Sequence, residues 1–124
     1  MSIDDRDLMT VWGGAGVAGA VQAALSRVGA PYVYGACGPN QFDCSGLVRW
    51  AYGQAGVQLD GGTAQLIHKG VQVSPSQAQP GDLVFPHSGH VQMYIGNNQV
   101  VEAPYTGASV RVMPLGGGMI RRLA

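Results

Sequence analysis

The chain has 124 residues, enough for one hydrophobic core and too few for two. Apolar residues make up 46% and charged residues 11%, with seven basic and seven acidic side chains and no formal net charge. That balance excludes a disordered tail, and the lack of a basic stripe argues against nucleic acid as a partner. No run approaches the ~18–20 apolar residues that a membrane span needs. Met1 to Thr10 carries Asp4, Asp5 and Asp7, where a signal peptide would begin basic and turn apolar. Residues 1–15 read as an N-terminal extension and 16–124 as a single domain.

Taken in chain order, Val17, Ala20, Val21, Ala24, Leu25 and Val28 follow the i, i+3, i+4 spacing of a helix over 16–28. Gly29 and Pro31 end it. A Gly- and Pro-rich loop, Tyr32 to Asn40, leads to a second helix from Cys44 to Ala55. Asp43 stands at its N-cap, and Leu47, Val48, Ala51 and Tyr52 share one face. A short third helix is expected over Thr63 to Lys69, capped by Thr63. Val71 to Pro80 reads as a polar loop.

Strand patterns follow at Leu83 to Phe85, His90 to Ile95, Val100 to Ala103, Ser109 to Met113 and Met119 to Leu123. Helices first and an antiparallel sheet second make the expected class α+β. Arg121 and Arg122 read as solvated terminal charges.

Two cysteines, Cys37 and Cys44, are too few for a disulfide scaffold. Either they bridge to each other, or one is a reactive thiol and the other passive. Their spacing does not match a zinc pair, and no metal site is expected. Cys44 opens the second helix, where free backbone amides stabilise a thiolate and an oxyanion. The alternative is a buried, inert thiol.

A nucleophilic cysteine needs a base. Of His68, His87 and His90, the first lies at a helix end and the second in a loop. His90 opens an alternating strand that would hold its ring on one face; it also suits a purely structural role. Glu102 is the candidate orienter, with a solvated surface carboxylate as the alternative. A two-residue Asn97-Asn98 turn would pair Gly96 with Gln99 and put His90 and Glu102 on opposite faces. A three-residue loop would pair Gln92 with Glu102 and bring His90 and Glu102 to one face. A His90–Glu102 pair therefore requires an odd-length loop or a bulge.

At these residues the chain resembles the NlpC/P60 family of cell-wall peptidases, from about Val21 to Leu123. The matching segments are Pro31-Tyr32-Val33-Tyr34-Gly35, Phe42-Asp43-Cys44-Ser45-Gly46-Leu47-Val48, Gln79-Pro80-Gly81-Asp82-Leu83-Val84-Phe85, His90-Val91 with Tyr94-Ile95-Gly96-Asn97, and Val101-Glu102-Ala103-Pro104. The resemblance implies a papain-like core, with Cys44 as nucleophile, His90 as base and Glu102 as third member. It further implies Tyr32 as a hydroxyl donor near the oxyanion, and Asp43 and Ser45 shaping the pocket for the substrate's amino end. Glu102 stands where many members have His. Gln92 stands where many have a small residue, and should narrow the cleft or bond Glu102. Leu59-Asp60-Gly61-Gly62-Thr63 replaces a stretch that is often basic.

The implied activity is hydrolysis of bacterial peptidoglycan stem peptides, usually between D-glutamate and the diamino acid. No cofactor is implied. The expected setting is the cell wall or extracellular space, as a monomer, with the export route open. An amidase or acyltransferase on the same core, or a non-catalytic wall-binding module, are the alternatives.

Overall fold

In the computed structural model the described residues are 15–123. The N-terminal extension read from the sequence lies, up to residue 14, outside them. Helix α1 (Ala15–Leu25) and helix α2 (Cys44–Gln54) precede a one-turn helix α3 (Thr63–Leu66). Six strands follow: β1 (Val71–Val73), β2 (Leu83–His87), β3 (His90–Gly96), β4 (Gln99–Glu102), β5 (Arg111–Pro114) and β6 (Met119–Arg122). They form one antiparallel sheet in the order β1-β6-β2-β3-β4-β5, so the class is α+β.

Sheet alternation sorts the apolar residues into two layers. Leu83, Phe85, Val91, Met93, Val101 and Ala103 pack with Ala20, Ala24, Leu47, Val48, Ala51 and Leu66 of the helices. Val84, Val100 and Ile120 form a smaller cluster with Tyr94 and Leu115. The buried Tyr52 hydroxyl donates to the Gly81 carbonyl at 2.6 Å, which ties α2 to the turn before β2.

Several boundaries differ from the sequence reading. Helix α1 stops at Leu25, and Val28, expected on its buried stripe, is half exposed. Gly29, at φ 98°, turns away and donates to the Val110 carbonyl at 2.9 Å. A bond to the sheet side of the molecule here outcompetes helix propagation. Gly62, not Thr63, caps α3. Its amide is bonded by the Gln65 side chain at 2.9 Å, which frees the Thr63 hydroxyl. The segment expected as a polar loop after residue 70 holds β1 and a 3-10 turn at Pro75–Gln77. Three residues, two of them exposed, carry too little alternation to be seen, and β1 exists through pairing with β6. Arg121 and Arg122 are not free ends. Arg121 Nε donates to the Ile67 carbonyl at 2.7 Å, and Arg122 forks onto Asp82 at 3.0 and 3.1 Å.

Asn97 and Asn98, at φ 52° and 60°, form the two-residue turn between β3 and β4, with Gly96 opposite Gln99. That turn alone would separate His90 from Glu102. The register shifts between Tyr94 and Gly96, however, so Ile95 is a bulge and Met93 faces Val101. The extra residue puts Gln92 opposite Glu102.

Candidate active site

Cys44 is the first residue of α2. Asp43 caps that helix through Oδ1, which accepts from the Gly46 amide at 2.7 Å. Its other oxygen accepts from the Gly35 amide at 3.0 Å, so one carboxylate fastens the preceding loop to the helix start. Gly46 is needed for the same approach: a Cβ there would run into the Ala36 carbonyl and the Cys37 backbone. The Cys44 amide stands at a first-turn position where no intrahelical carbonyl is available.

The Cys44 sulfur is half buried, 3.4 Å from the Thr63 hydroxyl. Burial by itself would raise the thiol pKa. Hydrogen bonding with His90 and Thr63, the Val91 backbone and the His90 charge outweigh burial, and hold the thiol below its ordinary value. Both cysteines are free thiols, and Cys37 is exposed.

His90 begins β3. Its Nε2 lies 2.7 Å from Glu102 Oε1, which leaves Nδ1 as the ring nitrogen for Cys44. Contact with Cys44 and then Glu102 lifts the His90 pKa to about 9 against the effect of burial. Glu102 ends β4 and is 4% exposed. Its carboxyl is driven down to about 2, first by His90, against burial, and then by Gln92 and Arg111. Gln92 Nε2 donates to Oε1 and Arg111 Nε to Oε2, each at 2.8 Å. The two acid–base partners are thus shifted apart in the directions that keep both charged at neutral pH.

An open cleft of about 280 Å³ exposes this group. Its walls are Tyr32, Cys44, His87, Gly89, His90, Glu102, Pro104, Tyr105 and Arg111. Tyr32 is held beside Cys44 because its backbone pairs with Phe42, two residues before the sulfur. Burial, then the nearby Cys44 and Asp43 charges, raise its hydroxyl pKa, so it keeps its proton as a donor. Of the seven residues picked out from the sequence, Tyr32, Cys44, His90 and Glu102 meet in the cleft. Asp43, Ser45 and Gln92 stand behind its wall: Ser45 is buried and donates to Asp43 at 3.3 Å.

Sequence reasoning missed Thr63 as a neighbour of the sulfur, His87 and Arg111. His87 ends β2 and its ring stacks on His90 with centroids 6.0 Å apart. Arg111 faces Glu102 directly across β4 and β5, a cross-strand charge pair visible once those strands are aligned. Among the described residues no group of three or more His, Cys, Asp or Glu is arranged to hold a metal ion. No helix among them is long and apolar enough to cross a membrane.

Comparison with known proteins matches the same elements. The family model described as the NlpC/P60 family covers residues 29–123, from the end of the first helical segment to the last strand. A probable endopeptidase of Mycobacterium tuberculosis is 45% identical over 97 residues, which are 77% of this chain and 25% of that protein. The peptidoglycan endopeptidase RipA of Mycolicibacterium smegmatis is 36% identical over 121 residues, covering 85% of this chain and 24% of that protein. This chain thus spans about a quarter of the length of these curated relatives. Among solved structures, the P60 domain of an antigen from M. avium subspecies paratuberculosis superposes with a TM-score of 0.79 at 29% identity, over 92% of this chain and 99% of that one. With 95 consecutive residues inside one family model and the helix-then-sheet order retained, the chain belongs to the NlpC/P60 family.

Proposed function

We propose that this chain is a cysteine endopeptidase that hydrolyses peptidoglycan stem peptides, with Cys44 as nucleophile, His90 as acid and base, and Glu102 as the group that orients His90. The observation that carries the reading is the Cys44–His90–Glu102 alignment, with a lowered thiol pKa at a helix N-terminus and a His90 pKa of about 9. The lowered thiol and the raised imidazole both shift the pair toward thiolate and imidazolium.

Attack by the Cys44 sulfur on a peptide carbonyl forms the C–S bond and an oxyanion. The Cys44 amide and the Tyr32 hydroxyl are the donors for that oxygen. His90 passes its Nδ1 proton to the departing amine as the C–N bond breaks, leaving a thioester. Neutral His90 then takes a proton from water, hydroxide adds to the thioester, and the thiolate leaves with the new carboxylate free. Glu102 holds Nε2 throughout, so only Nδ1 moves a proton.

A relative named as a peptidoglycan endopeptidase supports a peptidoglycan substrate; within it the favoured bond is the one between D-glutamate and the diamino acid, as the family resemblance implies. The cell wall is the matching site of action. Incubation with defined stem peptides, followed by mass spectrometry of the products, tests the reading. The expected result is two fragments from wild type and an uncut substrate with folded Cys44→Ala. An intact stem peptide after prolonged incubation with wild type overturns it.

A further inference from the structure

Glu102 is gripped by more than the ring it serves. His90 and Gln92 both donate to Oε1, and Arg111 donates to Oε2 at 2.8 Å. These donors sit on β3 and β5, the strands flanking β4, and Arg111 lies opposite Glu102 in the ladder. A glutamate bonded only to His90 would keep a broad, two-fold terminal torsion. Donors on two fixed strands remove that freedom and leave one carboxylate orientation.

The orientation has a visible cost. Gln92 Oε1 is buried without a hydrogen-bond partner. A buried acceptor without a donor loses its hydration and gains nothing in return. Flipping the amide would point an oxygen at the carboxylate, so the amide is held as it is by the need for a donor on Glu102. Arg111 is braced in turn, with its guanidinium carbon 5.5 Å from the centroid of the Tyr105 ring.

We propose that Arg111, supported by Gln92, is a positioning residue of this site: it fixes the Glu102 carboxylate from the side opposite His90 and draws off part of its charge. The inference rests on the catalytic reading above, since it assigns Arg111 a role through Glu102 and His90. The charged and titratable groups around Glu102 are His90 on β3, Arg111 on β5, Cys44 on α2, and Tyr32, His87 and Tyr105 on the cleft wall. Of these only Arg111 opposes the attraction between Glu102 and the His90 proton while bonding the carboxylate. Lys at this position would keep the charge but lose the planar guanidinium that lies along both Glu102 and Tyr105. Gln would keep a neutral donor and lose the charge.

The experiment separates charge from geometry. His90 is titrated by NMR in wild type, Arg111→Gln and Arg111→Lys, with kcat measured on a stem peptide and folding checked by circular dichroism. Expected is a His90 titration moved to higher pH in Arg111→Gln and unmoved in Arg111→Lys. In Arg111→Lys kcat should fall about tenfold or more, the order expected when a catalytic group is slightly misplaced. A titration unmoved in folded Arg111→Gln, or a wild-type kcat in Arg111→Lys, overturns the proposal. Should Arg111→Gln not fold, the kcat of Arg111→Lys still decides. The NMR titration needs no turnover, so it reads Arg111 even if the stem-peptide assignment fails.

Discussion

Gln92 and Glu102 are joined across the β3–β4 ladder by a 2.8 Å hydrogen bond although the turn between their strands is only two residues long. The Ile95 bulge makes this possible. It restores the register that puts Glu102 within 2.7 Å of His90 Nε2, and it buries the carboxylate among three donors. The geometry of the candidate triad therefore depends on one extra residue in a strand.

Activity should follow a bell-shaped pH profile. The rising limb tracks ionisation of Cys44, at a pH below the ordinary thiol value of 9.0, and the falling limb tracks loss of the His90 proton at about 9. Glu102, with a pKa of about 2, adds no limb near neutrality. The profile of kcat/KM on a defined stem peptide checks this; an alkaline limb near the ordinary imidazole value would contradict it.

Stability should fall on the acid side, where Glu102 takes up a proton. Glu102 is lowered from 4.5 to about 2, so its stabilisation is present above 4.5 and lost as pH falls toward 2. His90 is raised from 6.5 to about 9, so its share is present below 6.5 and lost as pH rises toward 9. Cys44, lowered from 9.0, acts the other way and adds stability as pH rises toward 9.0, which offsets the His90 loss. Tm measured against pH should therefore drop on the acid side below 4.5, and the drop should shrink in Glu102→Gln.

Glu102→Gln keeps the shape of the third member and removes its charge. The His90 titration should move to lower pH, because its strongest carboxylate partner is gone. A fall in kcat of about 10²-fold is expected, with a stability loss of about 1–3 kcal/mol from the unpaired Arg111 and Gln92 donors. NMR titration, single-turnover assays and urea unfolding measure the three effects separately.

Gly46→Ala should destabilise the fold by about 1–3 kcal/mol through overpacking. The new methyl would meet the Ala36 carbonyl, and relief would push the loop from residue 36 away from α2. Urea denaturation reads the loss. Reactivity of Cys44 toward iodoacetamide, measured with Cys37 replaced by Ala, should drop as the helix start shifts.

Tyr32→Phe removes one hydroxyl from the cleft wall. We expect kcat to fall about tenfold with Tm unchanged, since the hydroxyl lies at the cleft and not in the core. An unchanged kcat would remove Tyr32 from the oxyanion site.

Chain-local signals were strong where one element suffices. The spacing of Leu47, Val48, Ala51 and Tyr52, with Asp43 before Cys44, marked α2 and its cap, because helical period and capping chemistry act within a few residues. The alternation through Val91 and Met93 marked β3 for the same reason. Such patterns were misleading at Val28, where a bond from Gly29 to Val110 ends the helix early, and silent at β1.

Amino-acid order alone thus determined the α+β class and the placement of Cys44 at a helix start, since these follow from residue type and short-range period; it offered His90 and Glu102 as candidate partners and left a structural histidine and a solvated carboxylate open. Packing in three dimensions decided what the partners do to one another. Whether His90 and Glu102 share a face turned on a bulge that one strand's alternation cannot register. Arg111 reached Glu102, and Thr63 reached Cys44, only because sheet pairing and helix docking carried distant segments into contact. Hydrogen bonds and burial then set the charges of Cys44, His90 and Glu102, and both depend on neighbours that only the folded chain supplies.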